Sequence, residues 1–284
     1  MPNPGYTSRI TPKGLAAFFV LAYAITWILS IFSTEGLLPF IVPPLAVTLS
    51  AIFLHYGPAF AAIILVGVTG GWGHIRSLFS RLGIWRVGAG WYLFIFAYPL
   101  LLRLATVGID VVLGGSLPEF LSAADVPGGN PILLLPIVFL VVFFQAGLAE
   151  EIGWRGYALP GLQKRFGALA SSLILGIIWG IWHFHPLNFA DMWPTAFWYM
   201  LDIVAFTVIF TWLYNHTQGS ILLAALFHTA SNVSDWIVPT FSVVAEASSN
   251  RPFIIQAILG CAVALVIVAR YGAKSLGCVP LVEE

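Results

Sequence analysis

Apolar residues occupy this chain in long blocks, and the block lengths predict how it folds. A helix needs about 20 apolar residues to cross a hydrocarbon core of roughly 30 Å. Leu15 to Ser33, Trp91 to Gly114, Ile132 to about Pro160, Ala168 to Phe184, Ala196 to Tyr214, Ser220 to Val238 and Phe253 to Arg270 all read as spans. Leu37 to Gly70 is apolar as well, but Pro43, Pro44 and Pro58 break it, and as one helix it would run to about 50 Å. Counting it as a single crossing predicts an all-α, polytopic transmembrane bundle of about eight spans. Residues 1–284 then form one integral-membrane domain: N-terminal spans over 15–130, a core over 131–238, and a last span and tail over 239–284. Between the second and third spans, Gly70 to Gly90 carries Arg76, Arg81 and Arg86, with Ile75, Leu78, Phe79 and Leu82 spaced for a helix lying on the membrane surface.

Composition supports the membrane reading and removes other classes. The chain is 60% hydrophobic and 8% charged, against about 25% charged in an ordinary soluble domain. Lipid is therefore its surroundings, and a formal net charge of zero with no basic tract gives no reason to expect nucleic acid as a partner. Cys261 and Cys278 make neither a disulfide framework nor a cysteine metal cluster. The cations have a direction: with the N-terminus cytoplasmic, ten of the twelve Lys and Arg residues fall on the cytoplasmic side, the exceptions being Arg103 and Arg251. Arg103 lies within a span and reads as a structural residue that snorkels or pairs inside the bundle.

The chemistry begins where charge interrupts the apolar pattern, in the stretch AGLAEEIGWRGYALP from Ala146 to Pro160. An ionised side chain near bilayer depth costs at least a few kcal/mol, so Glu150 and Glu151 read as a site whose partners should lie on other spans. Counted from the inferred cytoplasmic helix ends, Glu150 lies about 15 Å in, His183 about 22 Å, His228 about 13 Å and Asn232 about 19 Å. Three helices thus place polar groups at comparable depth. His228 and Asn232, at i and i+4, share one helix face and can act on one bound group.

Each residue also has a purely structural reading. Glu151 and Arg155 stand at i and i+4 in the favourable order and can form an internal salt bridge. Glu150 can face a headgroup region, His183 can be an interfacial histidine beside Trp182, and Asn232 and Asp202 can be residues that hold helices together. His185 reads as structural. It is the combination of Glu150, His183, His228 and Asn232 that carries functional weight.

That combination resembles the CAAX-protease and bacteriocin-processing family of intramembrane proteases, also called the abortive-infection family. Glu150-Glu151-x-x-x-Arg155-Gly156 is similar to its first motif, Trp179-x-x-x-His183 to its second and His228-x-x-x-Asn232 to its third. The likeness covers about Phe143 to Trp236, including the turn YNHTQGS before the histidine helix. Trp179 departs from the family, which more often has Phe there, a change expected to bear on packing and not on chemistry. The resemblance implies an endopeptidase acting on a membrane-associated, in some members lipidated, peptide or protein. It implies Glu150 as the catalytic glutamate with Glu151 and Arg155 in support, His183 as a second essential group, and His228 with Asn232 at the reacting carbonyl.

Two routes to a reactive water are open. Glu150 can serve as general base, assisted by His183, with His228 and Asn232 stabilising the oxyanion; this route needs no cofactor. Alternatively, Glu150, His183 and His228 can hold zinc in an open three-ligand site. Asn232, a poor zinc ligand and a good oxyanion donor, favours the first. Two readings from other classes remain: a proton-coupled secondary transporter, which would show repeat symmetry that the sequence lacks, and a non-catalytic scaffold or immunity protein of the same fold, which would have lost at least one of the four polar residues.

Overall fold

The computed structural model describes residues 5–33, 53–121, 131–184, 195–240 and 250–277. Pro43, Pro44, Asp125, His185 and Asp191 lie outside them. Among the described residues the fold is all-helical, and its eight principal helices follow the apolar blocks. They are α1 (Pro12–Ser33), α2 (Gly57–Ser80), α3 (Ala89–Val112), α4 (131–163), α5 (Ala168–Trp182), α6 (Ala196–His216), α7 (Ile221–Ile237) and α8 (Arg251–Tyr271). Six stretches are long and apolar enough to cross a membrane: Pro12–Ile31, Leu54–Gly83, Ala89–Val112, Ile132–Gln163, Ala196–His216 and Arg251–Tyr271. The two helices that lead into His183 and carry His228 are shorter, 15 and 17 residues.

The helices pack in a closed order. α1 lies on α2, α2 on the middle of α4, α4 on α7, α7 on α3, α3 on α8, α8 on α6, and α6 on α5, which returns to the end of α4. The middle of α4 is therefore surrounded, and every residue from Ala149 to Leu162 is buried. A helix with neighbours on all sides needs no polar stripe, which is why its sequence is apolar all round apart from Glu150, Glu151 and Arg155.

Two local outcomes differ from the sequence pattern. The Gly70 to Gly90 segment is not a separate surface piece: α2 continues to Ser80 through a kink at Gly71, whose φ of 63° suits glycine. Arg81 just beyond is buried. It donates to the Tyr214 hydroxyl and lies 5.2 Å from the Tyr6 ring centroid, so a phenol and an aromatic face replace water around it. The turn between α6 and α7 uses left-handed backbone at Gln218 and Gly219, and the Ser220 Oγ then caps α7 by accepting from Leu223 N at 3.1 Å.

Arg103 pairs inside the bundle. It forms an ion pair with Asp235, and its Nε donates to Ser234 Oγ at 3.0 Å and its Nη1 to Gln256 Oε1 at 3.3 Å. Gln256 in turn donates to Asp202 Oδ2 at 3.2 Å, so one guanidinium links α3, α7, α8 and α6.

Gly153 sets how closely α4 approaches the start of α2. A Cβ there would come within 2.5 Å of the Pro58 backbone carbonyl, which cannot swing aside as a side-chain tip can. Gly153→Ala is expected to destabilise the fold by about 1–3 kcal/mol through overpacking, read as a lower thermal midpoint in detergent than the wild type.

Candidate active site

The five residues Ala149–Gly153 that carry both glutamates are bracketed by two wide π-helical segments, Phe143–Leu148 and Trp154–Ala158. A π turn accommodates an extra residue and re-aims the side chains beyond it, and such turns concentrate at functional sites. Between these turns Glu150 and Glu151 are 1% and 0% exposed, so both carboxylates must find partners inside the protein.

They find different ones. Glu151 Oε1 accepts from Arg155 Nη1 at 2.9 Å and from His228 Nδ1 at 2.8 Å. The Arg155 guanidinium is enclosed by rings, 3.8 Å from the Phe210 centroid and 4.4 Å from that of Trp179. Glu150 Oε2 accepts from the Trp179 indole Nε1–H at 2.7 Å. Its other oxygen, Oε1, faces His55 Nδ1 at 3.4 Å and His228 Nε2 at 3.9 Å.

The hydrogen bonds fix the imidazole tautomers. His183 Nδ1 lies 2.8 Å from the Trp179 carbonyl, which can only accept, so Nδ1 carries the proton and Nε2 is left as an acceptor. His228 donates from Nδ1 to Glu151, and its Nε2 can donate only when the ring is protonated on both nitrogens. Glu150 and Glu151 flank that ring, and a doubly protonated form pairs with both.

Glu150, Glu151, Arg155 and His228 thus meet, with His183 held to the same site by residue 179. Asn232 is placed differently. It follows His228 by one turn of α7 but is exposed, and its side chain makes no hydrogen bond among the described residues.

One participant escaped the sequence pattern, and a second, named there in a motif, was read only as packing. His55 lies in the short turn Leu54–Tyr56 before α2, and its ring packs edge-on against Trp182. The available signal was a histidine inside an apolar run shortly before Pro58. Trp179 does more than pack: its N–H is a hydrogen-bond donor to Glu150, a contribution a Phe could not make.

A zinc site requires three side chains at about 2 Å from one point. Among the described residues no three His, Cys, Asp or Glu side chains converge in that way. Glu150 Oε1 and His228 Nε2, two of the donors that the zinc route would use, lie 3.9 Å apart, somewhat wider than two donors of one tetrahedral zinc.

The comparisons with known proteins fall on this part of the chain. Residues 132–234 match the family described as Type II CAAX prenyl endopeptidase Rce1-like. The chain is also 31% identical over 141 residues to a protein of Methanococcus maripaludis named CAAX prenyl protease 2, covering 46% of this chain and 50% of that protein. It therefore spans about half the length of the curated relative it matches. The matched segment contains Glu150, Glu151, Arg155, Trp179, His183, His228 and Asn232. Over residues 132–234 the chain is thus similar to the Rce1-like CAAX prenyl endopeptidases, and the similarity takes in every residue of the buried glutamate cluster on α4.

Proposed function

We propose that the protein is a membrane-embedded endopeptidase that hydrolyses a peptide bond of a membrane-associated substrate, with Glu150 as general base. The observation that carries this reading is the buried Glu150 carboxylate, held by Trp179 at one oxygen and turned at the other towards His55 and His228. A carboxylate inside an apolar bundle with only histidines and an indole beside it is poorly explained as a structural device, since the adjacent Glu151 already takes the Arg155 ion pair.

In this mechanism Glu150 Oε1 removes a proton from water, and the oxygen adds to the scissile carbonyl carbon. His183, with Nε2 an acceptor, helps to hold that water. The oxyanion accepts from His228 Nε2 in its doubly protonated form and from the Asn232 amide, one turn away on the same helix. As the intermediate collapses the C–N bond breaks, and Glu150 returns its proton to the leaving amine. No step passes through a metal.

The relative's name points to a prenylated CAAX sequence as the first substrate to try. Purified protein in liposomes is expected to release the C-terminal tripeptide from a farnesylated CAAX peptide; release from neither this nor an unmodified peptide would count against the reading. Activity is expected to survive a chelator, with no stoichiometric zinc on the protein. Loss on chelation, restored by zinc at about one metal per chain, would reassign the reaction to a metal site.

The charge bias predicts a cytoplasmic N-terminus. A cysteine at residue 80 should then be shielded from a membrane-impermeant thiol reagent in intact cells, and one at residue 117 should be labelled. The reverse pattern would invert the topology.

A further inference from the structure

We infer that Trp179 is a positioning residue whose indole N–H selects which oxygen of Glu150 acts on water. The inference rests on Glu150 being the base. A carboxylate offers two equivalent oxygens, and a base that rotates between them is not aimed. Trp179 breaks the equivalence: its Nε1–H meets Oε2 at 2.7 Å, a charge-assisted bond, while the ring is 2% exposed. Oε1 is left facing His55 Nδ1 at 3.4 Å and His228 Nε2 at 3.9 Å, both longer than an ordinary N–H···O bond.

The indole is itself held. Its ring stacks on Phe206 at 22° between planes, meets Phe210 edge-on at 87°, and carries the Arg155 guanidinium 4.4 Å from its centroid. The backbone carbonyl of the same residue accepts from His183 Nδ1 at 2.8 Å. One residue therefore orients two groups of the site, Glu150 through its side chain and His183 through its main chain. Replacing the indole by phenyl removes only the first of these, because the carbonyl remains.

The test separates the N–H from the bulk of the ring. Trp179→Phe, and the wild-type chain with β-(3-benzothienyl)alanine at 179, which has sulfur in place of N–H in a ring of nearly the same shape, are assayed with the farnesylated peptide. Both are expected to lose about 10-fold or more in kcat, with KM within about twofold of wild type and, for the benzothienyl form, an unchanged thermal midpoint. A benzothienyl form with wild-type kcat, or a kcat loss matched by a lowered thermal midpoint, would overturn the inference. A second readout needs no turnover. In protein labelled with 15N-tryptophan, the Trp179 indole proton, assigned by its disappearance in Trp179→Phe, should move upfield in Glu150→Ala. An unmoved resonance would overturn the inference. If the wild type cleaves no peptide, the proposed function fails on its own, and this resonance still decides whether Trp179 holds Glu150.

Discussion

Arg155→Ala is expected to cost the protein its fold before it costs any chemistry. Arg155 and Glu151 are both fully buried and joined at 2.9 Å, and removing the cation leaves the carboxylate with His228 Nδ1 as its remaining hydrogen-bond partner. Breaking a buried ion pair from one side typically costs about 3–5 kcal/mol, because the abandoned charge cannot be rehydrated. The guanidinium also fills the space between the Phe210 and Trp179 rings, so its loss opens a gap beside the indole that holds Glu150. Arg155→Ala should therefore give a low yield of monodisperse protein after detergent extraction and a markedly lowered thermal midpoint. Arg155→Lys should fall between, since an ammonium keeps the charge but not the planar stacking. A well-folded Arg155→Ala protein with a wild-type midpoint and no activity would instead place Arg155 in the substrate site.

What the sequence revealed of the fold and of the site follows from contrast. Glu150 and Glu151 stood out because they follow a nearly unbroken apolar run from Ile132, and His228 because it lies in an apolar helix of its own. The widened turns on either side of the glutamates were not legible, since a segment buried all round has no polar stripe whose period could reveal a change of register. Trp179 was read as packing because hydropathy registers its ring and not its one donor. His55 was hidden by the proline-broken stretch around it, where the pattern gave no depth to set beside that of Glu150. Arg81 looked like a surface cation, and only the packing of Tyr6 and Tyr214 against it shows how a lone arginine is kept inside.

Glu150→Gln tests the account most directly. Glutamine keeps the size of the side chain and a carbonyl oxygen to accept from Trp179, so the packing of α4 should survive with a thermal midpoint close to wild type. What it loses is the ability to take a proton from water, and removing a positioned general base typically slows a reaction by 10²–10⁴-fold, roughly 3–5 kcal/mol in barrier. The measurement is release of the C-terminal peptide from the farnesylated substrate by purified wild-type and Glu150→Gln protein in the same liposomes. The account predicts turnover by the wild type and a loss of at least about 100-fold in Glu150→Gln at unchanged folded fraction; a folded Glu150→Gln protein that cleaves at the wild-type rate would contradict it.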